Sequence, residues 1–369
     1  MKTVILRHFG KKTSFVAKNL TIHKKPTLKP DFTDVSLNFG AIQTDHMVEI
    51  KYSQNEGWSA PSIAPFQPLQ IHPFNSTLHY SLSAFEGMKA YRTGNDLRLF
   101  RPMLNMERFL NSAKRLSFPI FDPKELLKVV EEFVKVEQHW IPPTSGCSLY
   151  IRPLMMSLTN LIGVHAAHEM AIYIMACPVG AYFSSNIQLK VYEEYWRGSP
   201  KSCAGYKLSC NYGPTVQIGE ELAKKGYSQA IWAYDECFLE SGASNLFFIL
   251  NHPNGGLELV THPLDNSILP GITRKTILEI SNEVIPEMKV SERPYKFEEF
   301  IRDHKSGVLK EVFTAGTAAV IGEVHRINLR DVDYKFHCDE KLICLKLRKH
   351  ILDIQEGRIT HQFSHIIQQ

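Results

Sequence analysis

Four short segments carry side chains with chemistry to offer. In Gly205-Tyr206-Lys207-Leu208-Ser209-Cys210-Asn211-Tyr212-Gly213 a lysine sits among apolar and small residues just before a helix start. A lysine drawn into a protected site loses ammonium solvation, so its pKa falls and it can form a Schiff base. An exposed surface lysine has the same local sequence. Glu240, in Phe238-Leu239-Glu240-Ser241-Gly242, falls at a turn between two apolar strands and reads equally as a solvated carboxylate. Gly271-Ile272-Thr273 opens a helix, where unpaired backbone N–H groups and the positive dipole end favour phosphate, with the Thr273 hydroxyl as an extra donor. Thr314-Ala315-Gly316-Thr317-Ala318-Ala319 reads as a strand running into a small-residue turn able to present two N–H groups and a hydroxyl. Ordinary helix starts and tight turns share both patterns.

Other chemistries find no support. There is no G-x-G-x-x-G after a strand, no P-loop and no G-x-S-x-G elbow. His165-Ala166-Ala167-His168-Glu169 has neither zincin spacing, so no metal is expected. The seven cysteines include no C-x-x-C pair, which argues against a disulfide framework or a zinc site and for a reducing compartment. With 42 basic against 38 acidic residues and no dominant basic stripe, nucleic acid is not an expected partner. No apolar run approaches membrane-spanning length, so no membrane partner is expected either.

The elements that must position these residues follow an α/β pattern. Short apolar runs punctuated by Pro, Gly and Asn predict strands and hairpins between Asp34 and Leu104. Met106, Phe109, Leu110, Ala113 and Leu116 share one helical face, and Asp122-Pro123 caps a second helix striped by Leu126, Leu127, Val130 and Val134. Strands are predicted at Ser148–Pro153, Met170–Cys177, Gln229–Tyr234, Asn245–Leu250 and Val312–Thr314. Helices are predicted from Pro214 (Val216, Leu222 and Ala223 inward), from Gly271 to Val284, and around Ile343–Ile354. The expected organisation is mixed α/β with two domains: a basic arm at 1–12, a small domain at 13–183, a linker at 184–198 and a large domain at 199–369. A cleft between domains is a preferred ligand site. The stretch from Met1 to Pro30 has no Asp or Glu, eight Lys or Arg, and an apolar face on Met1, Val4, Ile5 and Phe9. It reads as a short mitochondrial targeting segment or as a solvated basic arm of a cytoplasmic protein.

Longer motifs point further. Leu78-His79-Tyr80-Ser81-Leu82-Ser83-Ala84-Phe85-Glu86-Gly87-Met88-Lys89-Ala90-Tyr91-Arg92, Ser148-Leu149-Tyr150-Ile151-Arg152-Pro153, Tyr206-Lys207 through Gly213-Pro214-Thr215-Val216, and Leu269-Pro270-Gly271 resemble branched-chain-amino-acid aminotransferases. These are fold-type-IV enzymes that use pyridoxal 5'-phosphate. The resemblance runs in order from about Ser14 to Gly357 and is nearest to eukaryotic forms.

That resemblance implies roles for individual residues. Lys207 is the Schiff-base lysine and proton carrier, Glu240 faces the pyridine nitrogen, and Tyr212 binds the ring oxygen. Arg108, the Ile272 and Thr273 amides and Thr317 hold the phosphate; composition alone makes Arg108 a solvated residue. Phe39, Phe85, Tyr150 and Tyr182 form an apolar cage, completed by Tyr80, Ile162 and Val164 from a second subunit, which implies a homodimer. The Thr317 and Ala318 amides and the Tyr80 hydroxyl meet the substrate α-carboxylate, and Arg152 the second carboxylate of glutamate. The implied reaction moves an amino group between leucine, isoleucine or valine and 2-oxoglutarate. A D-amino-acid aminotransferase, an aminodeoxychorismate lyase or a non-catalytic pyridoxal-phosphate-binding protein are the competing readings on the same scaffold. Three departures from vertebrate members stand out: Ala319-Val320-Ile321-Gly322 in place of a C-x-x-C pair, Ser209-Cys210 in place of Gly-Gly, and Ala243 in place of threonine.

Overall fold

The structure, a computed structural model, describes residues 14–26, 30, 32, 37–180, 186–253 and 255–368. The arm at 1–12 and Tyr182 lie outside the described residues.

The chain builds two sheets, in keeping with the mixed α/β expectation. The first has ten strands, and its spine is Ser148–Ser157 paired antiparallel with Glu169–Val179. Both strands are buried along most of their length, as strands covered on two faces must be. Met88–Thr93 and then Asp96–Phe100 extend the sheet on one side, and His46–Ser53 on the other. The two helices predicted from periodicity are present as Pro102–Arg115 and Pro123–Glu137. Asp122 caps the second by accepting from the Lys124 N–H at 2.8 Å. Phe109, Val130 and Phe133 pack with Ile50, Ile172 and Ile174 in one core. Beside it, Asp45, Glu137 and His139 cluster, with their polar atoms already engaged: Glu137 by the His46 ring and the Asp45 N–H, Asp45 by His139 and Trp140.

The second sheet has nine strands, and alternation along Ser244–Asn251 gives it two cores. Phe247 packs with Ile277 and Ile351 of helices Ile272–Val284 and Ile343–Gln355. Phe248 packs on the opposite face with Phe238 and with Phe300 of helix Phe297–Lys305. The hairpin Leu309–Gly316/Val320–Leu329 lies at the centre, with Phe313 stacked on Phe247 at 4.9 Å.

Three expectations need correction. The stretch 184–198 is not simply a linker: Ile187–Tyr192 is a strand inserted between Gln229–Tyr234 and Val320–Leu329. Its buried Ile187, Leu189 and Val191 alternate with half-buried partners, and those polar partners hide it from composition. The region 199–369 does not stay with the second sheet, because Ser364–Ile366 returns to pair with Asp96–Phe100 and cover the edge of the first. Pro214 does not open the helix: it lies in the second of two 3₁₀ turns, Ser209–Asn211 and Gly213–Thr215, that precede helix Val216–Lys224, in which Ile218 and Leu222 face inward while Val216 and Ala223 are exposed.

Among the described residues no helix is long and apolar enough to cross a membrane. Phe313→Ala removes a ring stacked at the centre of the second core and is expected to cost about 3–5 kcal/mol of stability, read from the denaturant midpoint; a loss below about 1 kcal/mol would show the stack contributes little.

Candidate active site

Between the sheets lies a cleft of about 310 Å³. Phe85, Gly87, Tyr150 and Arg152 line it from the first sheet and Arg108 from helix Pro102–Arg115. Glu240, Asn245, Leu269, Gly271–Thr273 and Ala315–Ala318 line it from the second. Lys207 and Tyr212 enter from the loop that joins them.

That loop is held along its length. The Lys207 N–H donates to Ser112 Oγ at 3.0 Å, and its carbonyl accepts from the Phe85 N–H at 3.1 Å. Ser83 Oγ donates to Ser209 Oγ at 2.8 Å, a bond that glycine at 209 would lack. Asn211 Nδ2 donates to the carbonyls of Cys203 and Tyr206, both at 2.9 Å, and curls the loop around the lysine. The half-buried Lys207 amine donates to Tyr212 Oη at 3.3 Å and lies 4.8 Å from the centre of the Phe85 ring. A fixed backbone with an amine emerging against two aromatic rings suits covalent work on a planar partner.

Glu240 is not at the turn but in strand Cys237–Ser241, across from Asn245. The reversal is made by Gly242-Ala243, with Gly242 at φ 55°. Only 2 % of Glu240 is exposed, so it is no solvated carboxylate. It accepts from Arg197 Nη1, from Asn245 Nδ2 at 3.1 Å and from the Leu269 N–H at 3.0 Å. Burial pushes its carboxyl above the ordinary range, while Arg197, the Leu269 N–H and the Lys207 charge pull the other way. Gly271 is required beside it, because a Cβ there would come within 2.0 Å of Asn245 Oδ1. Arg197 escaped the sequence reading. It lies in the stretch 184–198, whose composition reads as a linker, and nothing local marks it; its guanidinium is 5.4 Å from the Tyr212 ring.

Arg108 is buried, contrary to its position off the apolar arc of its helix. The reason is Glu86, fully buried at the end of strand Ser83–Phe85. Arg108 Nε and Nη2 donate to its two oxygens at 2.7 and 2.9 Å, and Asn105 Nδ2 adds a 2.8 Å bond. Burial works against the Arg108 charge, but Glu86 more than offsets it and the guanidinium titrates above its ordinary range. The remaining arm, Nη1, bonds the Pro270 carbonyl at 3.0 Å beside the start of helix Ile272–Val284. A guanidinium, two helix-start amides and the Thr317 segment thus border one end of the cleft, a donor set for a dianion. Glu86 was legible as a lone carboxylate among apolar residues, but only its partners give it a role.

Phe39, Phe85, Tyr150, Arg152, Thr317 and Ala318 all reach the cleft. Phe39 meets Tyr150 edge-on at 4.6 Å, and Arg152 Nη2 donates to Tyr150 Oη at 3.2 Å. Gly87 must be glycine, since a Cβ would lie 1.9 Å from Tyr150 Oη. Tyr80, Ile162 and Val164 do not line this chain's cleft, and Ile162 and Val164 are exposed.

Residues 83–327 match the family described as Amino-transferase class IV. The chain is 42 % identical to a mitochondrial branched-chain-amino-acid aminotransferase of Schizosaccharomyces pombe, covering 90 % of this chain and 80 % of that one. It is 36 % identical to the cytosolic enzyme of that name from Rattus norvegicus, over 95 % and 87 %. Its fold resembles that of the branched-chain amino acid aminotransferase from Thermobaculum terrenum, a holo-form structure that contains pyridoxal phosphate. The TM-score is 0.70 at 18 % identity, covering 89 % of this chain and 99 % of that one.

Glu86→Ala leaves the buried Arg108 without its counter-ion, and a broken buried pair costs about 3–5 kcal/mol. Chemical denaturation should show a loss of that size; an unchanged midpoint would mean that Arg108 is not held by this pair.

Proposed function

The chain belongs to the branched-chain-amino-acid aminotransferases of the class IV aminotransferase family, and we propose that its cleft holds pyridoxal phosphate on Lys207. It transfers the amino group reversibly between L-leucine, L-isoleucine or L-valine and 2-oxoglutarate. One observation carries the residue assignment: a loop amine and a deeply buried carboxylate share a cleft bordered by a helix start and a guanidinium. The donor set fits the cofactor group by group. Lys207 suits the aldehyde, Tyr212 the ring oxygen, and Glu240 the ring nitrogen. Arg108, the Ile272 and Thr273 amides and Thr317 suit the phosphate.

Pyridoxal phosphate, when bound, supplies the electron sink for the charge left on the substrate Cα after proton loss. The chain's own residues do the rest. The Lys207 amine takes and returns the Cα proton, and Tyr212 keeps that amine in line. Arg197 and Asn245 hold Glu240 fixed where the ring nitrogen would face it, and the Arg197 charge works against the effect of burial on the carboxyl. Phe39, Phe85 and Tyr150, with Tyr182, take the branched side chain out of water. Burial yields about 0.8 kcal/mol per CH₂, so the three branched side chains are separated only weakly. The Thr317 and Ala318 amides seat the α-carboxylate. Arg152 receives the second carboxylate of glutamate, and its Nε is buried with no partner.

We also infer a homodimer. Tyr80, Ile162 and Val164, expected at the site, stand away from this chain's own cleft. Leu78 and Phe74 on and beside helix Ser76–Tyr80 are exposed, as is Leu161. The Ser76 N–H donates to the Thr159 carbonyl, which brings these two apolar segments together. A second copy would cover them and bring Tyr80, Ile162 and Val164 to its neighbour's cleft. The relatives carry both mitochondrial and cytosolic names, and the acid-free basic stretch up to Pro30 is the segment to which we assign the choice.

Purified protein given L-leucine and 2-oxoglutarate should form glutamate, and D-alanine should not replace leucine. Lys207→Ala should lose the cofactor's visible spectral response to leucine and about 10⁴-fold or more in turnover. Glu240→Ala should keep the cofactor but lose about 10²–10³-fold; unchanged turnover in either variant would overturn its assignment. Sedimentation equilibrium should give twice the chain mass, and a fully active monomer would contradict the shared site.

A further inference from the structure

Lys89 is a buried cation that the reaction, as described, does not use. It lies on strand Met88–Thr93 with 6 % of its surface exposed. Its register partner across the sheet is Tyr150, so the two side chains leave the same face, and Tyr150 lines the cleft. The Lys89 ammonium crosses from the first sheet to the second and donates to the Ala318 carbonyl at 2.6 Å. Ala318 lies in the turn between Leu309–Gly316 and Val320–Leu329, and it lines the cleft together with Thr317.

A lysine in such a place is costly to keep charged. Burial brings its pKa down to about 8; among the described residues Cys147 is the one ionisable neighbour that opposes this, and no carboxylate does. Arg108 and Arg197 each lean on a buried glutamate. Lys89 leans on a backbone carbonyl, so a full negative charge near it would find an unneutralised cation. The peptide plane of the Ala318 carbonyl is shared with the Ala319 N–H, so gripping that carbonyl pins the plane that follows directly on the Thr317 and Ala318 amides.

We propose that Lys89 is a positioning residue for substrate carboxylates: it clamps the Thr317–Ala318 turn across the two sheets and supplies the counter-charge behind it. This rests on the reading that the turn seats the α-carboxylate. It differs from the role of Arg152, which serves only the second carboxylate of glutamate, because Lys89 acts on every substrate through the group they share.

The test uses the full chain loaded with pyridoxal phosphate and two ligands without an amine, 4-methylvalerate and its neutral amide. Calorimetry on the unmutated protein should show the acid binding about tenfold or more tighter than the amide. Lys89→Met, similar in length without charge, should erase about tenfold of the acid's affinity and leave the amide's unchanged. In steady state it should raise KM for leucine and 2-oxoglutarate together, with kcat within about threefold. Lys89→Arg should restore most of the acid preference. If Lys89→Met keeps that preference, or weakens acid and amide alike, Lys89 holds no charge for substrate and the inference falls. If the unmutated protein itself binds acid and amide equally, the carboxylate seat is wrongly placed and both readings fall together.

Discussion

Everything in the cleft depends on charges held where water cannot reach them. Glu240 and Glu86 are almost wholly buried, and each is matched to an arginine whose remaining contacts face the site. Buried ion pairs contribute little net stability, because desolvation consumes most of the Coulomb gain. Their value is that they cannot reorient. Glu240 is fixed by a guanidinium, a side-chain amide and a backbone N–H, and Arg108 by both oxygens of one carboxylate. Dipoles and charges set in advance cost no reorganisation when charge develops on a substrate, which is how such a site accelerates a reaction.

The two sheets divide this labour. The first supplies the aromatic wall and the arginines that flank it; the second supplies the buried carboxylate, the helix start and the hairpin turn. Neither makes a cleft alone. The lysine loop joins them: it is bonded to strand Ser83–Phe85 and to Ser112 on one side, and its Gly205 N–H to the Asn266 carbonyl on the other. Two glycines make the close approaches possible, Gly87 under Tyr150 and Gly271 against Asn245. Of the departures from vertebrate members, Ala243 lines the cleft, and the Ser209 hydroxyl gives its loop a tether to Ser83.

Residue patterns made the two long helices and most core strands legible, because their apolar residues recur at helical or alternate spacing. Ile187–Tyr192 was hidden because half its positions are polar, which composition reads as loop. The start of helix Val216–Lys224 was not legible because two 3₁₀ turns, invisible to a 3.6-residue period, come before it. The candidate site was readable where local sequence has a backbone consequence, as at Gly271-Ile272-Thr273, and through family resemblance at Lys207, Glu240 and Arg108. Arg197, Glu86 and Lys89 were not readable as site residues. Each acts through a partner distant in sequence, 43 residues away for Arg197 and 229 for Lys89, and only the fold brings the partners together.

In the proposed function Arg197 offsets the burial of Glu240, and the ring nitrogen opposite that carboxyl carries a proton. The direct measurement is the ¹⁵N NMR shift of ring-labelled pyridoxal phosphate bound to the protein. A pyridinium shift is expected at neutral pH, with movement toward the neutral-pyridine value in Arg197→Met. A neutral ring nitrogen in the unmutated protein would contradict it.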